Sequence, residues 1–232
     1  DIGLCVASHI NDVDYVVRAE ELGYSHAWLA DSQMLWSDCY ATLALAAYRT
    51  NSIQLGTGVA ITGTRPAPVN AASIATINAL APGRTFFGVG SGNTARRVMG
   101  LPPQRIKEFE AYIKTLVPLL KGEEVSFDYE GKENLIKHIM PDKGFVNFED
   151  PIPLYISGFG PKSLAIAGRY GDGAVIGAAR ATSMGSMWHM VQAGAREAGR
   201  DLDPGENYYT TALTTMVVLD EGEAVDSERV KS

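Results

Sequence analysis

Three glycine-rich segments are the parts of this chain whose residue types and spacing are best suited to chemistry. Each follows a short apolar run and precedes a helical pattern. Glycine lets a backbone approach a ligand closely and adopt angles that other residues avoid. Three such strand ends predict one ligand held by several loops, which is typical of a cofactor enzyme. The segments are 53–66, with three glycines in eight residues, 88–92 (Gly-Val-Gly-Ser-Gly) and 157–161 (Ser-Gly-Phe-Gly-Pro).

Charged side chains lie beside these segments. Arg65 is in the first and Arg96 follows the second. Both could recognise an anionic substrate or cofactor tail, although surface arginines are commoner than site arginines. Asp31 follows the apolar run 26–30, and it either points into the same site or caps the next helix, as Asp38 can. Asp31 therefore has two interpretations.

The segment 157–161 has a more specific interpretation, because a predicted helix starts directly after it. Free backbone N–H groups at a helix N-terminus suit a phosphate anion. A purely structural turn is the alternative. Lys162, the next residue, could add positive charge or lie in solvent.

The composition limits the function classes. A net charge of −7 over 232 residues argues against a nucleic-acid or anionic-membrane partner. Two cysteines, Cys5 and Cys39, imply no disulfide framework and fit a reducing cytoplasm. No apolar run approaches the roughly 20 residues that span a bilayer. We expect no metal site, because the four histidines are scattered. Asp1 leads directly into an apolar strand, so we expect no signal peptide, and a few residues before Asp1 in the natural chain.

Apolar runs alternate with helical patterns along the chain, and the runs are apolar on both faces, which indicates a parallel sheet. An open doubly wound sheet and a closed (β/α)8 barrel both fit. The Gly-x-Gly-x-x-Gly fingerprint is absent after the first strand, which favours the barrel. We predict strands at 2–7, 26–30, 53–61, 84–90, 153–157, 173–178 and 208–219, and helices at 13–22, 39–48, 67–80, 104–120 and 162–170, with a last helix capped by Thr182 and reaching Gly199.

We expect one barrel domain over 1–232. A barrel typically needs about 250 residues, and seven strands are counted, so we expect the eighth strand and the last helices to lie outside this chain. The polar segment at about 123–150 is predicted to be an irregular insertion or a small hairpin.

The chain resembles the luciferase-like superfamily of flavin- and deazaflavin-dependent oxidoreductases. Within it, the chain is most similar to the branch that contains methylenetetrahydromethanopterin reductase. The resemblance covers residues 2 to about 227 and implies an α/β fold, a (β/α)8 TIM barrel of the bacterial luciferase-like type with its cofactor at the carboxyl ends of the strands. It is carried by 28–32 (Trp-Leu-Ala-Asp-Ser), 55–59 (Leu-Gly-Thr-Gly-Val) with 64–66 (Thr-Arg-Pro), 88–92, and 156–162 (Ile-Ser-Gly-Phe-Gly-Pro-Lys) with 171–173 (Gly-Asp-Gly).

The resemblance also implies roles for single residues. A non-prolyl cis peptide is expected at Gly58–Val59, forming a bulge against the cofactor ring, unless these glycines only relieve crowding in the barrel wall. Asp31 and Asn93 would bind the polar edge of the ring. Trp36 would flank the substrate, or else pack on the barrel rim. The cofactor phosphate would be held by Ser157, Gly158, Phe159 and Gly160.

The sequence departs from some relatives at two positions. Asn93 stands where several deazaflavin enzymes have a glutamate that can donate a proton, and Ser32 stands where some have a histidine. An amide cannot exchange a proton near neutral pH. The activity of the related sugar-phosphate dehydrogenases is therefore not expected here.

The leading hypothesis is an F420-dependent oxidoreductase that transfers a hydride between the reduced deazaflavin and a small organic acceptor with a C=N or activated C=C bond. The alternative keeps the fold but uses FMN and oxygen, as a luciferase-like monooxygenase does. A non-catalytic homologue with an empty pocket is a third reading. Relatives form dimers through barrel helices, so we expect a cytoplasmic homodimer.

Overall fold

Strands and helices alternate along most of the chain in the computed structural model, which describes residues 1–177, 184–214 and 217–231. The strands are β1 Gly3–Ala7, β2 His26–Ala30, β3 Gln54–Thr57, β4 Ala60–Ile61, β5 Thr85–Gly90, β6 Val125–Tyr129, β7 Lys132–Ile136, β8 Leu154–Ser157, β9 Gly173–Gly177 and β10 Tyr209–Leu213. The helices are α1 Asp14–Glu21, α2 Cys39–Arg49, α3 Ala67–Leu80, α4 Asn93–Val98, α5 Ile106–Leu120, α6 Pro161–Tyr170, α7 Met184–Glu197 and α8 Glu228–Lys231.

The large sheet is parallel, with strand order β1-β2-β3-β5-β8-β9-β10, and β4 pairs with β5. Four strands therefore separate β2 from β10. In a flat sheet, strands about 4.8 Å apart would place β2 and β10 roughly 24 Å apart. Yet the rings of His26 on β2 and Tyr209 on β10 stack with centroids 5.3 Å apart. The sheet is therefore curled, as the predicted barrel requires, with β1 and β10 at its two edges.

An aromatic layer fills the inside of the curled sheet. The Trp28 and Phe86 ring centroids are 4.3 Å apart, those of Phe86 and Tyr155 5.4 Å, and those of Tyr155 and Tyr209 4.9 Å. β2 and β5 are buried at every residue, because one face meets this layer and the other meets the helices. The helical side of the core includes Leu43, Ile74, Ile113, Leu116, Leu164 and Val191.

The helices follow the predicted patterns. α5 buries Phe109, Ile113, Leu116 and Leu120 along one stripe, which is the amphipathic spacing seen in the sequence. α2 starts at a cap, because Asp38 Oδ1 accepts a hydrogen bond of 3.0 Å from the Ala41 N–H. No helix within the described ranges combines the length and apolarity needed to cross a bilayer.

Two predicted strands differ from the structure, and one helix was not predicted. The strand predicted at 53–61 is two strands, because Gly58 and Val59 interrupt it. The short helix α4 was not predicted, since its residues show no apolar stripe. The strand predicted at 208–219 ends at Leu213, and residues 217–219 belong to no strand. Thr182, the predicted cap of α7, lies outside the described residues, as do Ala178 and residues 215–216.

The polar segment 123–150 contains a hairpin, which confirms one of the two forms predicted for it. β6 and β7 pair antiparallel, and the pair Tyr129–Lys132 closes a two-residue turn. Glu130 and Gly131 have φ of 55° and 78°, as a type I′ turn requires. The Asp128 carboxylate accepts the Gly131 N–H at 2.9 Å and holds the turn.

Glu20 joins α1 to the loop between α2 and β3. Its Oε1 accepts hydrogen bonds from the backbone N–H groups of Asn51 (2.9 Å), Ser52 (2.6 Å) and Ile53 (3.0 Å), and from the Ser52 hydroxyl (3.0 Å). Burial by itself raises the pKa of this carboxyl, but the donors lower it more, to about 2. The loop is therefore held by an ionised carboxylate.

We expect the substitution Glu20→Gln to lower the free energy of unfolding by about 1 kcal/mol at neutral pH, because a neutral acceptor replaces a charged one. The folded pKa of about 2 lies below the ordinary 4.5, so this contribution is complete above pH 4.5 and is lost as the pH falls towards 2. Urea unfolding near pH 7 and pH 3 should show the difference from wild type shrinking in acid. The control is Glu21→Gln, since Glu21 pairs with Arg18 on an exposed surface. A difference that stays constant with pH would contradict the assignment.

Candidate active site

The carboxyl ends of the parallel strands lie along one edge of the curled sheet, and the predicted site residues come at these ends. Asp31 follows β2, Gly58 and Val59 lie between β3 and β4, and Ser157 is the last residue of β8. Active sites of barrels with parallel strands form at this edge. The topology thus brings separate sequence motifs to one place.

The break between β3 and β4 is a bulge at Gly58–Val59. The peptide bond there is cis, which confirms the geometry that the resemblance implied. Residues 55–57 and 60–62 are buried, whereas Gly58 and Val59 are partly exposed. The Gly58 N–H donates to the Leu29 carbonyl at 2.7 Å. A Cβ at position 58 would lie 2.7 Å from Cβ of Trp28, so the bulge rests directly on the aromatic layer.

The bulge also contacts the ends of two further strands. A Cβ at Gly90, the last residue of β5, would lie 2.8 Å from Val59 Cγ2 and 3.4 Å from Ser157 Cβ. Val59 and Ser157 therefore lie on the two sides of Gly90. Segments 53–66 and 88–92 therefore meet Ser157, the first residue of segment 157–161, at position 90. Gly90 has no side chain that would separate them.

Asp31 is buried beside the bulge. Its Oδ2 accepts hydrogen bonds from the Ile61 N–H at 3.1 Å and from Arg65 Nη1 at 2.6 Å. Its side chain is 2% exposed. Asp38, not Asp31, caps the next helix. The structure thus excludes the helix cap for Asp31, and its role in the site stays a prediction.

Arg65 was predicted to bind an anionic substrate, and the structure places both ends of its guanidinium on carboxylates of the chain. Nη1 binds Asp31, Nη2 binds Asp38 Oδ2 at 3.0 Å, and Cζ lies 5.2 Å from the centre of the Tyr40 ring. Burial lowers the pKa of Arg65, but the Asp31 carboxylate more than offsets this and raises the pKa above its ordinary value. The guanidinium is therefore a permanent cation within the protein.

A buried polar chain continues from this ion pair into the helices. The Tyr40 hydroxyl donates to Asn70 Oδ1 at 2.8 Å, and Asn70 Nδ2 donates to the Tyr112 hydroxyl at 2.7 Å. Neither this chain nor the second role of Asp38 was predicted from the sequence. The sequence feature that could have indicated this chain was Asn70, an amide on the buried face of the alanine-rich helix α3.

Arg96, the other predicted anion-binding residue, joins two loops. Its Nη1 donates to the Gly63 carbonyl and its Nε to the Pro102 carbonyl, both at 2.6 Å. It borders an open groove of about 330 Å³ that also includes residues 62–66, Gln104 and Glu108. Arg96 therefore lies at the rim beside the β4–α3 loop.

The start of α6 contains the residues predicted to hold a phosphate. The first N–H groups of a helix have no partner within the helix. A Cβ at Gly160 would meet nothing within 4 Å, so the space in front of α6 is open. Phe159 is 65% exposed beside it, and the Gly158 N–H donates to the Val175 carbonyl at 3.2 Å. The open space at Gly160 leaves room for an anion close to the backbone, whereas the Gly158 N–H is already engaged.

Asn93 and Trp36 lie further out. Asn93 is the exposed first residue of α4, and its side chain makes no hydrogen bond within the described residues. Trp36 is 43% exposed on the β2–α2 loop, where the backbone N–H of Trp36 donates to the Ser32 carbonyl at 3.1 Å. No described contact joins either side chain to the bulge.

Comparison with known proteins gives a consistent result. The model of the luciferase-like monooxygenase family matches residues 10–231. The chain is 34% identical over 189 residues to the 5,10-methylenetetrahydromethanopterin reductase of Methanolobus tindarius, covering 81% of this chain and 56% of that protein. It is 32% identical over 204 residues to the F420-dependent hydroxymycolic acid dehydrogenase of Mycobacterium tuberculosis, covering 82% and 54%.

The fold is also found among solved structures. The coenzyme F420 dependent tetrahydromethanopterin reductase of Methanopyrus kandleri superposes with a TM-score of 0.75 and 24% identity, over 92% of this chain and 65% of that chain. This confirms the predicted luciferase-like barrel fold. The chain spans little more than half the length of the two curated relatives.

The contact between the bulge and the aromatic layer gives a test of stability. Gly58→Ala should lower the free energy of unfolding by about 1–3 kcal/mol, because the added methyl overlaps Trp28. Gly160→Ala is the matched control, since its methyl would enter open space, and should change stability by less than about 0.5 kcal/mol. Denaturant unfolding of both variants measures the difference. Equal effects would show that the bulge does not rest on Trp28.

Proposed function

This chain belongs to the luciferase-like monooxygenase family, and on that premise we propose that it is an oxidoreductase that uses coenzyme F420. In this proposal a hydride passes between the reduced deazaflavin and a small organic acceptor with a C=N or activated C=C bond. The sequence relatives support the choice of cofactor, since one of them, from Mycobacterium tuberculosis, is an F420-dependent dehydrogenase.

The observation that carries the proposal is the meeting of three strand ends around Gly90. Val59 and Ser157 lie on either side of it, and Asp31 is hydrogen-bonded to the same β4 segment. A flat ring needs a surface without long side chains, and the partly exposed bulge of Gly58 and Val59 offers one. A phosphate attached to that ring needs open backbone donors, which the start of α6 provides.

The bound cofactor would supply the hydride chemistry, while the residues of the chain bind and orient it. Gly58 and Val59 would support one face of the ring. Asp31 would accept a hydrogen bond from its polar edge. The N–H groups at the start of α6, with Ser157, Gly158, Phe159 and Gly160 before them, would hold the phosphate.

Asn93 limits the choice of acceptor. Its amide can bind the ring or the substrate by hydrogen bonds but cannot donate a proton as a glutamate would. An iminium or activated double bond accepts a hydride with little acid catalysis, so this acceptor class fits the residue present. Trp36, at the exposed rim, would flank the substrate, and Arg65 and Arg96 would shape its entrance.

Binding of the two rival cofactors tests the proposal. F420 should bind at micromolar concentration or tighter, and FMN at least about tenfold more weakly. Gly160→Ala should weaken F420 binding about tenfold, because its methyl enters the space assigned to the phosphate, while the fold stays intact.

Titration followed by cofactor fluorescence measures these affinities. Tighter binding of FMN would favour an oxygen-using monooxygenase, the activity named in the family description. Binding of neither cofactor would favour a non-catalytic homologue. An unchanged affinity of Gly160→Ala for F420 would refute the phosphate position.

We also propose that the protein works as a cytoplasmic homodimer, in keeping with its free thiols Cys5 and Cys39. Light scattering after size-exclusion chromatography should give a mass twice that of the 24.9 kDa chain. A monomer at micromolar concentration would contradict the dimer.

A further inference from the structure

Arg65 connects two loops that flank the bulge. Asp31 and Asp38 belong to the β2–α2 connection, and Arg65 belongs to the β4–α3 connection. Its two terminal nitrogens bind one carboxylate each, at 2.6 Å and 3.0 Å, and its side chain is 19% exposed. A guanidinium is planar and can hold two acceptors in fixed directions, which an ammonium cannot do.

Within the described part of the chain, the cation that binds the buried Asp31 carboxylate is Arg65. The Asp31 side chain is 2% exposed, and a buried carboxyl without an opposite charge takes up a proton. Its Oδ2 already accepts two hydrogen bonds, from Ile61 and Arg65. Its Oδ1 accepts none from the described part of the chain. One oxygen is thus fixed, and the other is left as an acceptor.

We propose that Arg65 is a positioning residue that keeps Asp31 ionised and turns its Oδ1 towards an N–H donor on the polar edge of the cofactor ring. The inference rests on the proposed function. We assign this role to Arg65 instead of direct contact with the substrate, because Asp31 and Asp38 occupy both ends of its guanidinium. The Tyr40 ring beneath the cation, held through Asn70, fixes it from the other side.

The titratable groups around Asp31 allow its ionisation to be tested in a range of pH where the neighbouring thiol and phenols keep their protons. Asp31 binds Arg65, which also binds Asp38, and it interacts electrostatically with Cys39, Tyr40 and Tyr112. Burial raises the pKa of the Cys39 thiol and of the Tyr40 and Tyr112 phenols. None of these three groups loses its proton between about pH 6 and pH 8.5. A change in that range after loss of Arg65 would therefore report Asp31.

The experiment compares F420 binding by four variants, each expressed as a ratio to wild type at the same pH, so that ionisation of the cofactor cancels. Arg65→Met removes the cation and keeps the length of the side chain. Arg65→Lys keeps the charge but reaches one carboxylate. Asp31→Asn combined with Arg65→Met removes both charges. Arg18→Met, which loses an exposed pair with Glu21, is the control.

Arg65→Met should bind F420 at least about tenfold more weakly than wild type near pH 6 and recover part of this loss near pH 8.5, as Asp31 ionises. Arg65→Lys should lose less affinity, with a ratio independent of pH. The double variant should bind weakly at both values, and Arg18→Met should match wild type. A ratio for Arg65→Met that is independent of pH would overturn the proposal.

Unfolding without cofactor separates failure of this inference from failure of the proposed function. The double variant should unfold at a higher urea concentration than Arg65→Met near pH 8.5, because it contains no unpaired buried carboxylate. If wild type does not bind F420, the proposed function fails while this comparison still tests the ion pair. Equal midpoints for the two variants would show that Arg65 does not sustain the charge of Asp31.

Discussion

The packing of aromatic rings inside the curled sheet is the constraint on which the site depends. Trp28, Phe86, Tyr155 and Tyr209 come from four of the seven strands in the sheet order, β2, β5, β8 and β10, and their ring contacts accompany the curl of the sheet. Such a layer leaves no room for side chains above it, so Gly58 lies directly on Trp28. The break between β3 and β4 and the carboxyl ends of β5 and β8 meet above this layer, around Gly90.

The charged groups above this layer connect the loops that follow the strands. One guanidinium, that of Arg65, ties two carboxylates beside the bulge, and Arg96 ties the β4–α3 loop to the segment after α4. A buried ion pair adds little net stability, because desolvation offsets attraction. The pair of Arg65 and Asp31 instead orients a side chain, since it fixes the direction of the Asp31 carboxylate where a ligand is proposed to bind.

Much of the fold could be predicted from the sequence, because alternation and glycine-rich strand ends are local signals. The bulge at Gly58–Val59 was predicted through family resemblance alone, since the residues 53–61 look like one continuous strand. The short helix α4 has no periodic apolar pattern. The partners of Arg65 could not be read from the chain, because Asp31 and Asp38 lie 34 and 27 residues away and meet it only through tertiary packing.

The most direct test of the account is rapid mixing of the protein with reduced F420 and a cyclic imine, with cofactor absorbance, amine product and dissolved oxygen followed together. We expect that oxidation of F420 requires the imine, yields one amine for each cofactor oxidised and proceeds equally well without oxygen. Oxidation of F420 that requires oxygen, or imine-dependent oxidation of reduced FMN in the absence of oxygen, would contradict it.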